Sequence, residues 1–105
     1  MSEVYLGKYK VKDRQKWLDW AKKLKIREDE VISTLKNEHV LSESCFISDD
    51  GEYVYYFMEA ESMDKAKEAS KHSTFAIDKE HREIHRLSLE KVEVMKNLFH
   101  FENRD

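Results

Sequence analysis

"HVLSESCFISDDGEYVYYFMEA", residues 39–60, decides the fold. Two runs rich in Val, Ile, Phe and Tyr, residues 39–48 and 52–60, flank Asp-Asp-Gly, where Gly51 tolerates the positive φ of a tight turn. That combination predicts a β-hairpin. With Asp50–Gly51 as a two-residue turn, Ile47 faces Val54, Cys45 faces Tyr56, Glu43 faces Met58 and Leu41 faces Ala60. One face of the ribbon then carries Leu41, Glu43, Cys45, Ile47, Val54, Tyr56, Met58 and Ala60. The other carries Ser42, Ser44, Phe46, Tyr53, Tyr55, Phe57 and Glu59. Side chains alternate with a period of two, so a one-residue slip would exchange these sets.

Outward from the hairpin, "EVYLGKYKV" (3–11) alternates as a strand, with Gly7 marking a bulge or a close approach by another group. Asp13 is placed to cap a helix carrying Trp17, Ala21, Leu24, Val31 and Leu35 at helical spacing, with Trp20 and Ile32 widening the stripe. "KIREDE" interrupts that stripe, which predicts a kink before the helix fades near Asn37. Ser62 caps a short helix over "MDKAKEASK" (63–71). Ser73 or Thr74 caps another running through Leu87. "EKVEVM" (90–95) reads as the last strand, with "LFHF" continuing it past a bulge near Lys96–Asn97. The order β-α-β-β-α-β predicts a single α+β domain over 1–105, a ferredoxin-like antiparallel sheet with helices on one face. Its other face, with Phe46, Tyr55 and Phe57 in a row, needs cover, and a second copy of the chain is the expected cover.

Composition bounds the function. Nineteen basic against 22 acidic residues give a net charge of −3, which argues against nucleic acid, although residues 8–27 form a basic run able to steer an anion. Apolar residues make up 40% and charged residues 39%, with two Gly and no Pro, so long irregular loops are not expected. The lone Cys45 permits no internal disulfide. No signal-like segment and no apolar run near ~20 residues is seen. The chain is expected to be cytoplasmic, without a membrane partner.

Two places carry chemistry. Glu43 is a carboxylate in an otherwise aliphatic row, where burial would raise its pKa. In "IDKEHREIH" (77–85), Ile77, His81 and Ile84 share one helical face, so His81 looks toward the sheet. Asp78 lies one turn before it and is placed to orient the imidazole, while His85 falls nearer the wet edge. Three readings stand: a metal set of Asp78, His81 and His85; a pocket where His81 meets Glu43 and Tyr56; and a satisfied core histidine. The zinc-protease spacing is absent, since "HREIH" puts Glu third. No metal and no cofactor is expected. Cys45, mid-strand rather than at a helix N-terminus, is a weak nucleophile candidate.

The hairpin, with Glu43 and Tyr55–Tyr56, and the Ile77-Asp78-x-x-His81 motif resemble a family of small bacterial proteins of uncharacterised function in the dimeric α+β-barrel superfamily. The resemblance covers nearly the whole chain. It implies a ferredoxin-like subunit that pairs through its open sheet face, with a ligand between sheet and helices. Haem-degrading members carry a pattern of Asn, Trp and His that is not recognisable here, where both tryptophans lie on the first helix. The expected function is binding of a small organic ligand, with acid–base chemistry of the isomerase or mutarotase type. His81 would be the acid or base, Asp78 its orienter, Glu43 the partner carboxylate and Tyr56 a hydrogen-bond donor. The alternatives are a dimeric module without ligand or catalysis, and a cofactor-independent monooxygenase-like enzyme.

Overall fold

The computed structural model describes residues 2–104. Its elements run β1 (Glu3–Val11), α1 (Arg14–Ile26), α2 (Glu28–Asn37), β2 (Val40–Ile47), β3 (Tyr53–Ala60), α3 (Met63–Lys71), α4 (Ala76–Ser88) and β4 (Leu89–Val94). The strands form one antiparallel sheet in the order β2-β3-β1-β4. The fold is α+β, and no helix is long and apolar enough to cross a membrane.

The hairpin keeps the expected register where it matters: Ile47 pairs with Val54, Cys45 with Tyr56 and Glu43 with Met58. Its connection is longer than a two-residue turn. The Gly51 N–H donates to the Ser48 carbonyl at 2.9 Å, the Ser48 N–H donates to Tyr53 O at 2.9 Å, and Gly51 takes a φ of 74°. Lengthening the connection by one residue on each side preserves parity, so the faces hold. They fail at one place. A bulge between Val40 and Ser42 pairs Val40, not Leu41, with Ala60. Val40 is therefore buried and Leu41 stands 46% exposed.

The expected kink is a full break. The Arg27 N–H closes α1 on the Lys23 carbonyl, and its guanidinium grips Glu30 at 2.7 Å and Glu80 on α4 at 2.6 Å. Asp13 and Ser62 cap α1 and α3 as expected, accepting from the N–H groups of Lys16 and Lys65. At α4 the cap position belongs to Phe75. Ser73 instead accepts from the Phe75 N–H and donates to Asp78. In β4 the irregularity falls opposite Lys8 and Tyr9, several residues before Lys96–Asn97, and "LFHF" forms no strand.

The core lies between the sheet and the helices. Tyr9, Val54 and Leu89 on the strands meet Trp17, Trp20 and Ile77 on α1 and α4, and Val40, Ala60 and Ala66 form a second cluster. Gly7 has the close approach its position suggested. The phenols of Tyr5 and Tyr9 meet at 2.7 Å directly over it, where a Cβ would lie 2.5 Å from one and 2.8 Å from the other. Gly7→Val is expected to part these phenols and to lower stability by about 1–3 kcal/mol. Urea unfolding checks this, and an unchanged midpoint would refute it.

The opposite face of the sheet presents Leu6, Phe57, Tyr55 and the 60%-exposed Phe46. Residues 95–104 leave β4 without regular structure and return to β3, where Arg104 donates to the Glu59 carboxylate at 2.6 Å. Along this arm Leu98, Phe99 and Phe101 stand largely exposed, with the two phenylalanine rings stacked at 5.1 Å.

Candidate functional site

Between the helices and the sheet lies a cavity of about 300 Å³. Four sequence-flagged residues, Glu43, Tyr56, Asp78 and His81, all line it, together with Glu38 and the Tyr5–Tyr9 pair. Strand geometry places the first two. Tyr56 sits opposite Cys45, and its long side chain reaches diagonally to Glu43, to whose Oε1 the phenol donates. Burial pushes the Glu43 carboxyl above its ordinary range, the Tyr56 bond opposes this, and the Asp78 charge adds to it. Burial, reinforced by the Glu43 charge, also keeps the Tyr56 phenol protonated.

His81 enters from α4. Its ring stands edge-on to Trp17 and Tyr56, with centroids 5.9 Å from each. The Trp20 Nε1–H donates to His81 Nδ1 at 2.9 Å. An indole N–H can only donate, so Nδ1 is the bare nitrogen and the ring proton sits on Nε2. Burial, with some help from His85, pushes the imidazole down to about 4, so His81 is neutral near pH 7.

The orienting partner of His81 is thus Trp20 on α1. Asp78, expected in that role, is engaged elsewhere: its Oδ2 accepts from Thr34 on α2 at 2.5 Å and from Ser73. One turn toward the N-terminus of α4 brings it within reach of these hydroxyls. Thr34 Oγ1 also lies 3.1 Å from Glu38 Oε1. A hydroxyl owns one proton and cannot donate to two carboxylates at once. The second bond forms when Glu38 is protonated and its carboxyl donates to the Thr34 oxygen. In agreement, burial and the Asp78 charge push the Glu38 carboxyl up to about 7.

His85 packs edge-on against Tyr9 at 4.8 Å. The metal set of Asp78, His81 and His85 does not converge. Among the described residues, the His and carboxylate atoms near enough to share an ion belong to Glu59, His100 and Glu102, within 4.8 Å of one another near the arm. There Arg104 already neutralises Glu59. Cys45 is exposed as a residue, but protein packed around its sulfur pushes the thiol up to about 11, so it is no nucleophile at neutral pH.

Sequence reasoning missed Glu38 and Thr34, and it took Trp20 only for core. The legible trace of the first two was their i, i+4 spacing at the end of α2, a weak sign because such pairs abound on helix surfaces. A family of unknown function, DUF6176, has a model that matches residues 2–104. The chain belongs to that family. Neither the curated proteins nor the solved structures contain a match to this DUF6176 member.

Proposed function

We propose that this DUF6176 chain is a cytoplasmic, ferredoxin-like subunit of the dimeric α+β-barrel type. Its cavity binds a small organic ligand and moves a proton on it. The observation that carries this reading is convergence. Glu43, Glu38, Tyr56 and His81 come from two strands and two helices to line one cavity, and burial raises both glutamate carboxyls above their ordinary range, Glu38 to about 7. A carboxyl at about 7, as at Glu38, exchanges protons with little energetic mismatch near pH 7. Two central strands, β1 and β3, flanked by β2 and β4, support the ferredoxin-like reading. The exposed Phe46, Leu98, Phe99 and Phe101 support a second copy as the cover of the open face.

A module without ligand has one observation in its favour: Glu43 and His81 already hold protein partners in Tyr56 and Trp20. The discriminating experiment is a thermal-shift screen against small polyols, hydroxy-ketones, hydroxy-acids and flavins. A ligand at about 100 times its Kd stabilises by about 2.7 kcal/mol, which raises the melting temperature by several degrees. A flat response across the screen would favour the module. Light scattering is expected to give twice the 12.7 kDa chain mass, and a monomer would end the dimer reading.

A further inference from the structure

We propose that the ligand is a small, uncharged, hydroxylated carbonyl compound that enolises in the cavity, with the His81 Nε2–H donating to its carbonyl oxygen and Glu43 removing the α-proton. This rests on the cavity being a ligand site, and it assigns His81 a role other than general base.

The Trp20 bond uses the lone pair at Nδ1 and leaves His81 only the Nε2–H to offer a ligand. Among the described residues no acceptor meets that N–H, although the side chain is partly buried between α4 and the sheet and lines the cavity. A neutral imidazole fixed as a donor suits an oxygen whose charge grows during reaction, and a carbonyl becoming an enolate is such an oxygen. Glu43 has one oxygen held by Tyr56 and the other free. A carboxylate beside a fixed neutral donor is the pair that proton abstraction next to a carbonyl requires.

Charge narrows the class. Glu38, Glu43 and Asp78 line the interior, whereas the cations Lys67, Arg82 and Lys91 lie at exposed positions on the lining. A phosphate or carboxylate placed beside His81 would face those carboxyls, and a cation could not accept from its Nε2–H, so the fitting group is an uncharged oxygen acceptor. The Tyr5 and Tyr9 phenols offer partners for its hydroxyl groups. A cavity of about 300 Å³ sits at the small end of ligand sites, which suits a compound of a few carbons.

The step balances without a co-reactant. The α C–H bond breaks and its proton passes to the Glu43 carboxylate. The bonding pair forms the C=C bond, and the carbonyl π pair moves onto the oxygen held by Nε2–H. Returned to the same carbon, the proton gives exchange or epimerisation. Returned to the neighbouring carbon, with the hydroxyl proton passing between the two oxygens, it moves the carbonyl by one position.

The test uses the full chain and three probes: dihydroxyacetone, glycolohydroxamic acid as a planar mimic of the enediolate, and erythritol as a polyol without a carbonyl. Dihydroxyacetone in D2O is expected to lose its methylene proton signal faster than in protein-free buffer, and Glu43→Gln is expected to slow that exchange by about 10²-fold. In ¹⁵N-resolved spectra of the unmutated protein, glycolohydroxamate is expected to move the His81 Nε2–H proton downfield while Nδ1 keeps its hydrogen-bonded shift. Erythritol producing the same shift, with no exchange of dihydroxyacetone, would overturn the carbonyl assignment and leave the ligand cavity standing. A His81 resonance unmoved by all three probes, together with a flat thermal-shift screen, would overturn both.

Discussion

Trp20→Ala is expected to lower the unfolding free energy by about 3–5 kcal/mol, the range for removing a large buried aromatic. Trp20 is 1% exposed and sits in the main core cluster with Trp17, Val54 and Ile77. Its loss opens a cavity between α1 and α4 that the surrounding backbone cannot close. It also removes the donor to His81 Nδ1, leaving a buried acceptor without a partner. Trp20→Phe separates the two effects, since it retains much of the packing and deletes the N–H. The expected loss is then smaller, about 1–3 kcal/mol. The more telling readout is the imidazole itself: with Nδ1 released, its ¹⁵N shifts should leave those of a single Nε2–H tautomer. Urea unfolding and the His81 nitrogen spectrum check the pair. Unchanged His81 shifts in Trp20→Phe would show that the indole does not hold the tautomer.

Much of this architecture was legible because it rests on local pattern. Period-two alternation and the left-handed Gly51 placed the hairpin, and the polar stretch in the first helix marked the right place, as a kink, where the chain in fact breaks into two helices at Arg27. Glu43 was conspicuous because a carboxylate in an aliphatic row contradicts its neighbours, and His81 because helical phase put it between Ile77 and Ile84. The bulges at Val40 and in β4 were not legible where they fall, since a bulge inserts a residue without changing composition. Nor were the partners that decide the chemistry. Trp20 meets His81 across 61 residues, and Thr34 meets Asp78 across 44. Such contacts follow from how α1 and α2 lie against α4, which no spacing within one helix encodes. Asp78 was a reasonable orienter for His81 by helical geometry alone. Two hydroxyls from outside α4 engage its carboxylate in place of the imidazole.

The proton held by Glu38 beside Thr34 has a thermodynamic signature, and Glu38→Gln is expected to reveal it. Glu38 has a folded pKa of about 7 against an ordinary 4.5. Between these values the folded chain binds the proton more tightly than the unfolded chain, so the stability it contributes is full below 4.5 and is lost as pH rises through 7. His81 acts in the opposite sense: its folded value near 4, against 6.5, gives stability that is present above 6.5 and lost as pH falls through 4. From about 4.5 to 6.5 the two slopes offset one another, and above that window Glu38 acts unopposed by His81. Glu38→Gln keeps the shape and an amide able to meet Thr34, yet it cannot ionise. Its stability relative to the unmodified chain is therefore expected to rise by about 1–3 kcal/mol between pH 5 and pH 8, after allowance for screening beside an open cavity. Glu43 and His81 titrate in both proteins and largely cancel from that difference. Urea unfolding of the two chains across this range measures it. A difference that does not vary with pH would mean that Glu38 is already ionised throughout, and the cavity would then lack its reserve proton near neutrality.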